Sequence, residues 1–354
     1  MFMLGYNSTF TGQTFYDKRG NPLRVPPHYA IDLSLFSRPP ALLKLIKSFV
    51  RDIGDSVAER RFDVQRTFSL GDVLMLVPVV RELERLGYDV HYQTDARYVP
   101  LLRALDIRTA ALDRLDVYAV MLDWTVERDH LEPLLRDMHR CEIFARSIGL
   151  TQMPDRWNWD CSLSHFSEMK DDWATEGDYI VFQGSGAAQQ RGLTADTVQW
   201  LLEAFTVEGI RVLYIGEPLP ELVVDKKLVR LQFTTSTLLE LFSWIGGARC
   251  VVTMDSSPLW VSHFTKTPVI AVLGPSRSAQ RIGEHPLYPE GAVAIELNRE
   301  LKCEPCFEVA EECGRKFDCL KGINPERLYE LIRPHVMRYL TRQEEACDAG
   351  ELGG

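Results

Sequence analysis

The feature that most constrains the fold is a series of short, predominantly apolar segments alternating with amphipathic ones from residue 179 onward. Tyr179–Phe182, Ile210–Ile215, Cys250–Met254 and Val269–Leu273 read as strands. Between them, a segment N-capped by Thr194 and running to Val207, then Ser236–Ile245 and Pro258–Thr265, read as helices. Strands apolar on both faces must be covered on both, which calls for a parallel sheet between helix layers. A weaker form of the rhythm precedes it. Strands are expected at Val64–Phe68 and Asp89–Gln93, and helices at Val73–Leu86, Tyr98–Leu105 and His130–Gly149. Thr151–Ser167, rich in Trp, Asp and Pro, reads as a connector.

A chain of 354 residues is long for one core, so two α/β domains are expected, at 63–165 and 166–335. Residues 1–62 form an N-terminal extension, and 336–354 the end of a helix and an acidic tail. Pro22, Pro26, Pro27, Pro39 and Pro40 are expected to break up regular structure in the extension. Behind them Leu42, Ile46, Phe49, Ile53 and Val57 fall at helical spacing, with Lys44, Lys47, Arg51 and Arg60 between. This basic amphipathic helix over 42–61 can dock on the chain's own core or lie peripherally on an anionic membrane face.

A net charge of −10 argues against nucleic acid as a partner through bulk electrostatics. No stretch approaches the roughly 20 apolar residues that span a bilayer, and Met1–Gly12 lacks a signal-peptide pattern. The expectation is a cytoplasmic protein, whose eight cysteines serve as thiols or metal ligands rather than disulfides.

In open parallel sheets, ligands bind where strands run out into loops. Four such loops carry candidate chemistry, and none matches a dinucleotide fingerprint or a P-loop. In Ser69-Leu70-Gly71-Asp72, the glycine permits a sharp turn, and Asp72 either caps the next helix or takes a proton from an acceptor hydroxyl. Gln183–Arg191 offers the backbone of Gly184 and Ser185 with the charge of Arg191, a set that suits a diphosphate or forms an ordinary loop. Gly216, Glu217 and Glu221 lie beyond the next strand, where a carboxylate can accept from ribose hydroxyls. Asp255-Ser256-Ser257-Pro258 opens a helix with Pro258 suited to its first position, so its amides favour an anion and Asp255 or Ser256 can cap.

The cysteine spacing Cys303-x2-Cys306-x6-Cys313-x5-Cys319 suits tetrahedral zinc or an iron site, or is a thiol-bearing flap. Cys250 reads as strand core, and His263, on a short helix, as packing.

Taken together, these motifs resemble glycosyltransferase family 9, the heptosyltransferase family of lipopolysaccharide core synthesis. The resemblance runs from Gln65 to Ile332. It rests on Ser69–Leu74 with Pro78, on Arg140–Leu150, and on Asp255–Pro258 followed by Thr267–Pro275. The cysteine cluster with Ile323-Asn324-Pro325-Glu326 adds to it. It implies a GT-B-type α/β architecture of two facing Rossmann-like domains, with the acceptor mainly on the first and the nucleotide sugar on the second. The implied reaction is inverting transfer, independent of a catalytic metal, from a nucleoside-diphosphate sugar such as ADP-heptose to a glycan, lipid-linked or protein hydroxyl. Asp72 maps to the expected base and Ser69 and Gly71 to the acceptor side. Arg191 falls near the family's phosphate-binding lysine, Glu217 or Glu221 on its ribose- or base-binding glutamate. Asp255, Ser256 and the amides after them fall on its phosphate and sugar contacts. Ser257 stands where the family has Gly and Trp260 where it has His, so the donor would meet an indole there. These departures keep two rivals open, a non-catalytic nucleotide-sugar-binding module and a transferase acting on nucleic acid.

Overall fold

The computed structural model describes residues 4–6, 13–16, 22–25, 30–32, 61–66, 69–111, 120–121, 138–147, 150, 152–162, 172–175, 177–185, 192–216, 223–232, 238–303, 313 and 318–341. The chain divides into two compact units, Met1–Asn158 and Trp159–Gly354.

The N-terminal unit opens with four short strands, β1 (Leu4–Tyr6), β2 (Gln13–Tyr16), β3 (Pro22–Val25) and β4 (Ala30–Asp32). They pair antiparallel as β1 with β4 and β2 with β3. The prolines therefore do not abolish regular structure there: Pro22 opens β3, a place where its missing N–H is tolerated. The expected helix at 42–61 lies outside the described residues, except that Arg61 begins a strand.

That strand is β5 (Arg61–Gln65), which starts earlier than its apolar core suggests. It is followed by α1 (Leu70–Arg85), β6 (Asp89–Thr94), α2 (Val99–Ala104), β7 (Thr109–Ala111), β8 (Val120–Met121) and α3 (Arg140–Ser147). The last is the described part of the helix expected at His130–Gly149. The sheet order is β7-β6-β5-β8, parallel throughout. Helix α1 buries Val73, Leu74, Val77, Val80 and Leu83, each worth about 1.5–3 kcal/mol when fully removed from water. Tyr92 Oη donates to the Val73 carbonyl at 3.1 Å, tying β6 to α1.

The C-terminal unit contains α4 (Asp172–Thr175), β9 (Ile180–Gln183), α5 (Ala195–Val207), β10 (Val212–Ile215), β11 (Val229–Gln232) and α6 (Leu238–Gly247). There follow β12 (Cys250–Met254), α7 (Ser257–Thr265), β13 (Val269–Leu273), α8 (Ser278–Arg281), β14 (Ala292–Glu296), α9 (Leu297–Glu300), α10 (Asp318–Lys321) and α11 (Pro325–Thr341). Thr194 caps α5 as its sequence indicates, its hydroxyl accepting from the Thr197 amide at 3.2 Å. The sheet order is β11-β10-β9-β12-β13-β14, again all parallel. Every residue of β9, β10, β12 and β13 is buried, as strands covered on both faces require. One core joins them to α5 and α11, through Phe205, Leu328, Ile332, Val336 and Tyr339.

The connector divides its tryptophans. Trp157 is buried in the first unit, where Arg81 Nη1 donates to the Asn158 carbonyl at 3.1 Å. In the second, Trp159 packs on His263 at 4.6 Å between ring centroids. Among the described residues, no helix is long and apolar enough to cross a membrane. The acidic tail from Gln343 lies outside them.

Candidate functional site

In the C-terminal unit the strand order reverses between β9 and β12: β10 and β11 extend from one side of that pair, β13 and β14 from the other. The crevice at the carboxyl ends of such a pair is where doubly wound sheets place their ligands. Two of the four candidate loops, after β9 and after β12, leave the sheet there, and the third leaves from neighbouring β10.

A polar network crosses these strand ends. Gln183, the last residue of β9, accepts at Oε1 from Ser256 Oγ at 2.6 Å and from Thr253 Oγ1 at 3.0 Å. Its Nε2 donates to Ser185 Oγ at 3.4 Å. Ser185 in turn lies against Gly216, whose φ of 144° is closed to other residues, and where a Cβ would stand 2.4 Å from Ser185 Oγ. Gly184 serves packing: a Cβ there would come within 2.5 Å of Val198 on α5. The structure thus brings Gly184, Ser185, Gly216, Ser256 and Ser257 to one edge of the sheet. Arg191, Glu217 and Glu221 lie outside the described residues. Gln183 as the hub is the residue that sequence reasoning missed.

Helix α7 begins at Ser257, so Pro258 is its second residue rather than its first. Ser256 is the N-cap, with the extended backbone (φ −152°) that capping needs, yet its side chain makes no capping bond. Asp255 does not cap either. It is 4% exposed, and its carboxylate accepts from Ser276 Oγ at 2.9 Å and Arg281 Nε at 2.7 Å. That buried pair ties the end of β12 to α8 and the loop after β13.

Trp260 is not brought to the crevice. At 2% exposure it packs between Trp159, at 6.3 Å, and His263, at 5.1 Å between centroids. His263 is core, as expected, and stands 4.5 Å from His285. The Leu287 amide donates to His285 Nδ1 at 3.0 Å, so Nε2 carries the proton toward Ser262 Oγ at 3.3 Å. Burial holds His285 neutral, with its pKa lowered to about 4. Cys250 is strand core, its thiol pushed upward by burial.

In the N-terminal unit the same topological reversal falls between β5 and β8. Helix α1 starts at Leu70, so Gly71 and Asp72 lie in its first turn, not in a loop. The sharp turn falls at Ser69, with φ 60° and ψ 117°, a strained combination for a residue with a Cβ. Arg66 Nη2 donates to the Asp72 carboxylate, whose side chain is 17% exposed. The guanidinium also sits 5.5 Å from the Phe144 ring centroid. Arg66, another residue that sequence reasoning missed, therefore fixes the carboxylate's orientation from the end of β5.

The cysteine cluster is not assembled as a metal site by what is described. Cys306 lies outside the described residues, and among those residues no three His, Cys, Asp or Glu side chains converge to hold an ion. Cys319 is instead buried in the hydrophobic core beside Leu320, against Gly274.

No family model matches the sequence, and no curated protein matches it. Solved structures do match its shape. An E. coli heptosyltransferase, WaaC with ADP, aligns with a TM-score of 0.53 at 14% identity, over 78% of this chain and 99% of that one. E. coli ADP-heptose lipopolysaccharide heptosyltransferase II aligns at 0.53 and 14%, over 80% and 99%. The iron-containing dodecameric glycosyltransferase TibC of enterotoxigenic E. coli aligns at 0.55 and 14%, over 80% and 79%. The chain has the fold of the family 9 heptosyltransferases. At this identity the likeness is one of fold. It bears out the α/β, GT-B-type architecture with parallel sheets that the motifs imply.

Proposed function

We propose that the chain is an inverting glycosyltransferase that holds a nucleoside-diphosphate sugar at the β9/β12 crevice and passes the sugar to an acceptor hydroxyl. The observation that carries this reading is the strand reversal itself, with an uncapped helix start and a hydroxyl-amide network at its mouth. The Ser257 amide and the helix dipole at the start of α7 are suited to the diphosphate, and Ser185, Gly216 and Ser257 line its approach. Arg191 adds positive charge, and Glu217 or Glu221 accepts from the ribose. Support also comes from the shape neighbours, whose names record ADP and ADP-heptose as their ligands.

In the N-terminal unit Asp72 is the base. It takes the proton of the acceptor hydroxyl as that oxygen attacks the anomeric carbon, and the carbon–oxygen bond to the diphosphate breaks with its electrons leaving on phosphate. Backbone amides and Arg191 stabilise the charge gathering on the departing diphosphate. Region 63–165 then serves the acceptor and 166–335 the donor, with 1–62 as an extension that can touch a membrane face. The acceptor class is a glycan, lipid-linked glycan or protein hydroxyl.

Thermal-shift titration with ADP, GDP, UDP and CDP tests the donor half; no shift with any of them would refute it. Asp72→Asn tests the chemistry. Turnover should fall by roughly 10²- to 10⁴-fold while the diphosphate dissociation constant stays within about twofold. Full turnover in that variant would remove Asp72 from the reaction, and binding without turnover in the unsubstituted chain would favour a binding module.

A further inference from the structure

We infer that Gln183 is a positioning residue that keeps the start of α7 open for the donor diphosphate, an inference that rests on the reading above. Ser256 has everything a capping residue needs except a bond to the helix. Its backbone is extended and it stands at the N-cap. Pro258 carries no N–H, so the first-turn amide within reach of the hydroxyl is that of Leu259, which bonds the Ser256 carbonyl at 3.2 Å. A hydroxyl turned that way would lie across the helix end, in the space an anion's oxygen would take.

Gln183 prevents this. Its Oε1 accepts from the Ser256 hydroxyl at 2.6 Å; Thr253 Oγ1, on the adjacent strand, stands 3.0 Å from the same oxygen, 3.0 Å from the Met254 carbonyl and 3.2 Å from Ser256 Oγ, and so braces the pair. The amide is buried, so releasing Ser256 would leave part of its acceptor capacity unmet, which is costly away from water. Nε2 meanwhile steadies Ser185 on the other side of the crevice. One amide at the end of β9 therefore holds two hydroxyls in place, and the helix start remains uncapped by its own side chain.

The test is a double-mutant cycle on diphosphate affinity, using whichever of ADP, GDP, UDP or CDP the unsubstituted chain binds most tightly. Gln183→Leu frees Ser256 to cap, and affinity should fall by roughly five- to tenfold, the weight of a helix cap. Made in a Ser256→Ala background, where no hydroxyl can cap, the same change should cost less than about twofold. An equal loss in both backgrounds would show a merely structural role and overturn the inference. So would unchanged affinity in Gln183→Leu. If that variant does not fold, Ser256→Asn reads the same link, because its Oδ1 caps the helix without adding charge. It should bind roughly five- to tenfold more weakly than the unsubstituted chain, and retained affinity would overturn the inference. If the unsubstituted chain binds none of the four diphosphates, the donor reading falls and this inference with it; the other outcomes leave that reading standing.

Discussion

Two residues set the base of the proposed reaction, and each does so at a cost to stability. Ser69 holds φ 60° and ψ 117° at the entry to α1, directly before the turn that carries Asp72. Glycine tolerates that backbone and serine does not, so Ser69→Gly should stabilise the fold by about 1 kcal/mol. A urea midpoint that moves down instead of up would show that the serine side chain holds the turn. Arg66 contributes differently, as a buried cation whose partner is the carboxylate that must stay reachable. Its role was not legible in the sequence, because nothing near Arg66 marks the end of β5 as the place where Asp72 returns.

At the scale of elements, the strands Cys250–Met254 and Val269–Leu273 could be read to the residue. Continuous apolar runs bounded by Asp255 and Gly274 leave no other register. The helix starts could be read from Thr194 and from Pro258, within one position. What could not be read was which strand ends are neighbours. Gln183 and Ser256 are 73 residues apart and Asp255 and Arg281 26, so their bonds exist only through sheet order. The short ribbons before Asp32 were hidden for another reason: proline density signals broken structure, and an edge strand opening on Pro22 is a permitted exception. Tight packing between elements yields its own prediction. A Cβ at Gly274 would stand 2.7 Å from Leu320 Cγ and 2.9 Å from Cys319 Sγ. Gly274→Ala should therefore push α10 off the end of β13 and cost roughly 1–3 kcal/mol. A melting temperature equal to that of the unsubstituted chain would show that α10 yields freely.

At the scale of the whole molecule, the buried His285 gives stability a pH dependence. His285 has a folded-state pKa of about 4 against an ordinary value of 6.5. Above pH 6.5 neither the folded nor the unfolded chain protonates it, and its full contribution is present. As pH falls from 6.5 toward 4, the unfolded chain binds a proton that the folded one refuses, so stability drops, by up to about 3 kcal/mol. His285→Gln should flatten that limb in urea melts between pH 7.5 and 4.5. Parallel slopes for the two proteins would mean that His285 titrates alike in both states.

The strand order also sets a schedule. As the chain leaves the ribosome, β9, β10 and β11 have all emerged once residue 232 is out, and in the finished sheet these three lie side by side. Strand β9 then waits with one edge bare until Cys250–Met254 is made, because its other neighbour is β12. Long-range parallel pairing of this kind is slow and leaves apolar edges exposed in the meantime. The crevice proposed for the donor is the seam between the two halves, so it comes into being at the step that ends this exposure. A nucleotide bound in the proposed crevice would act only after that step, trapping the finished sheet rather than guiding its first strands together.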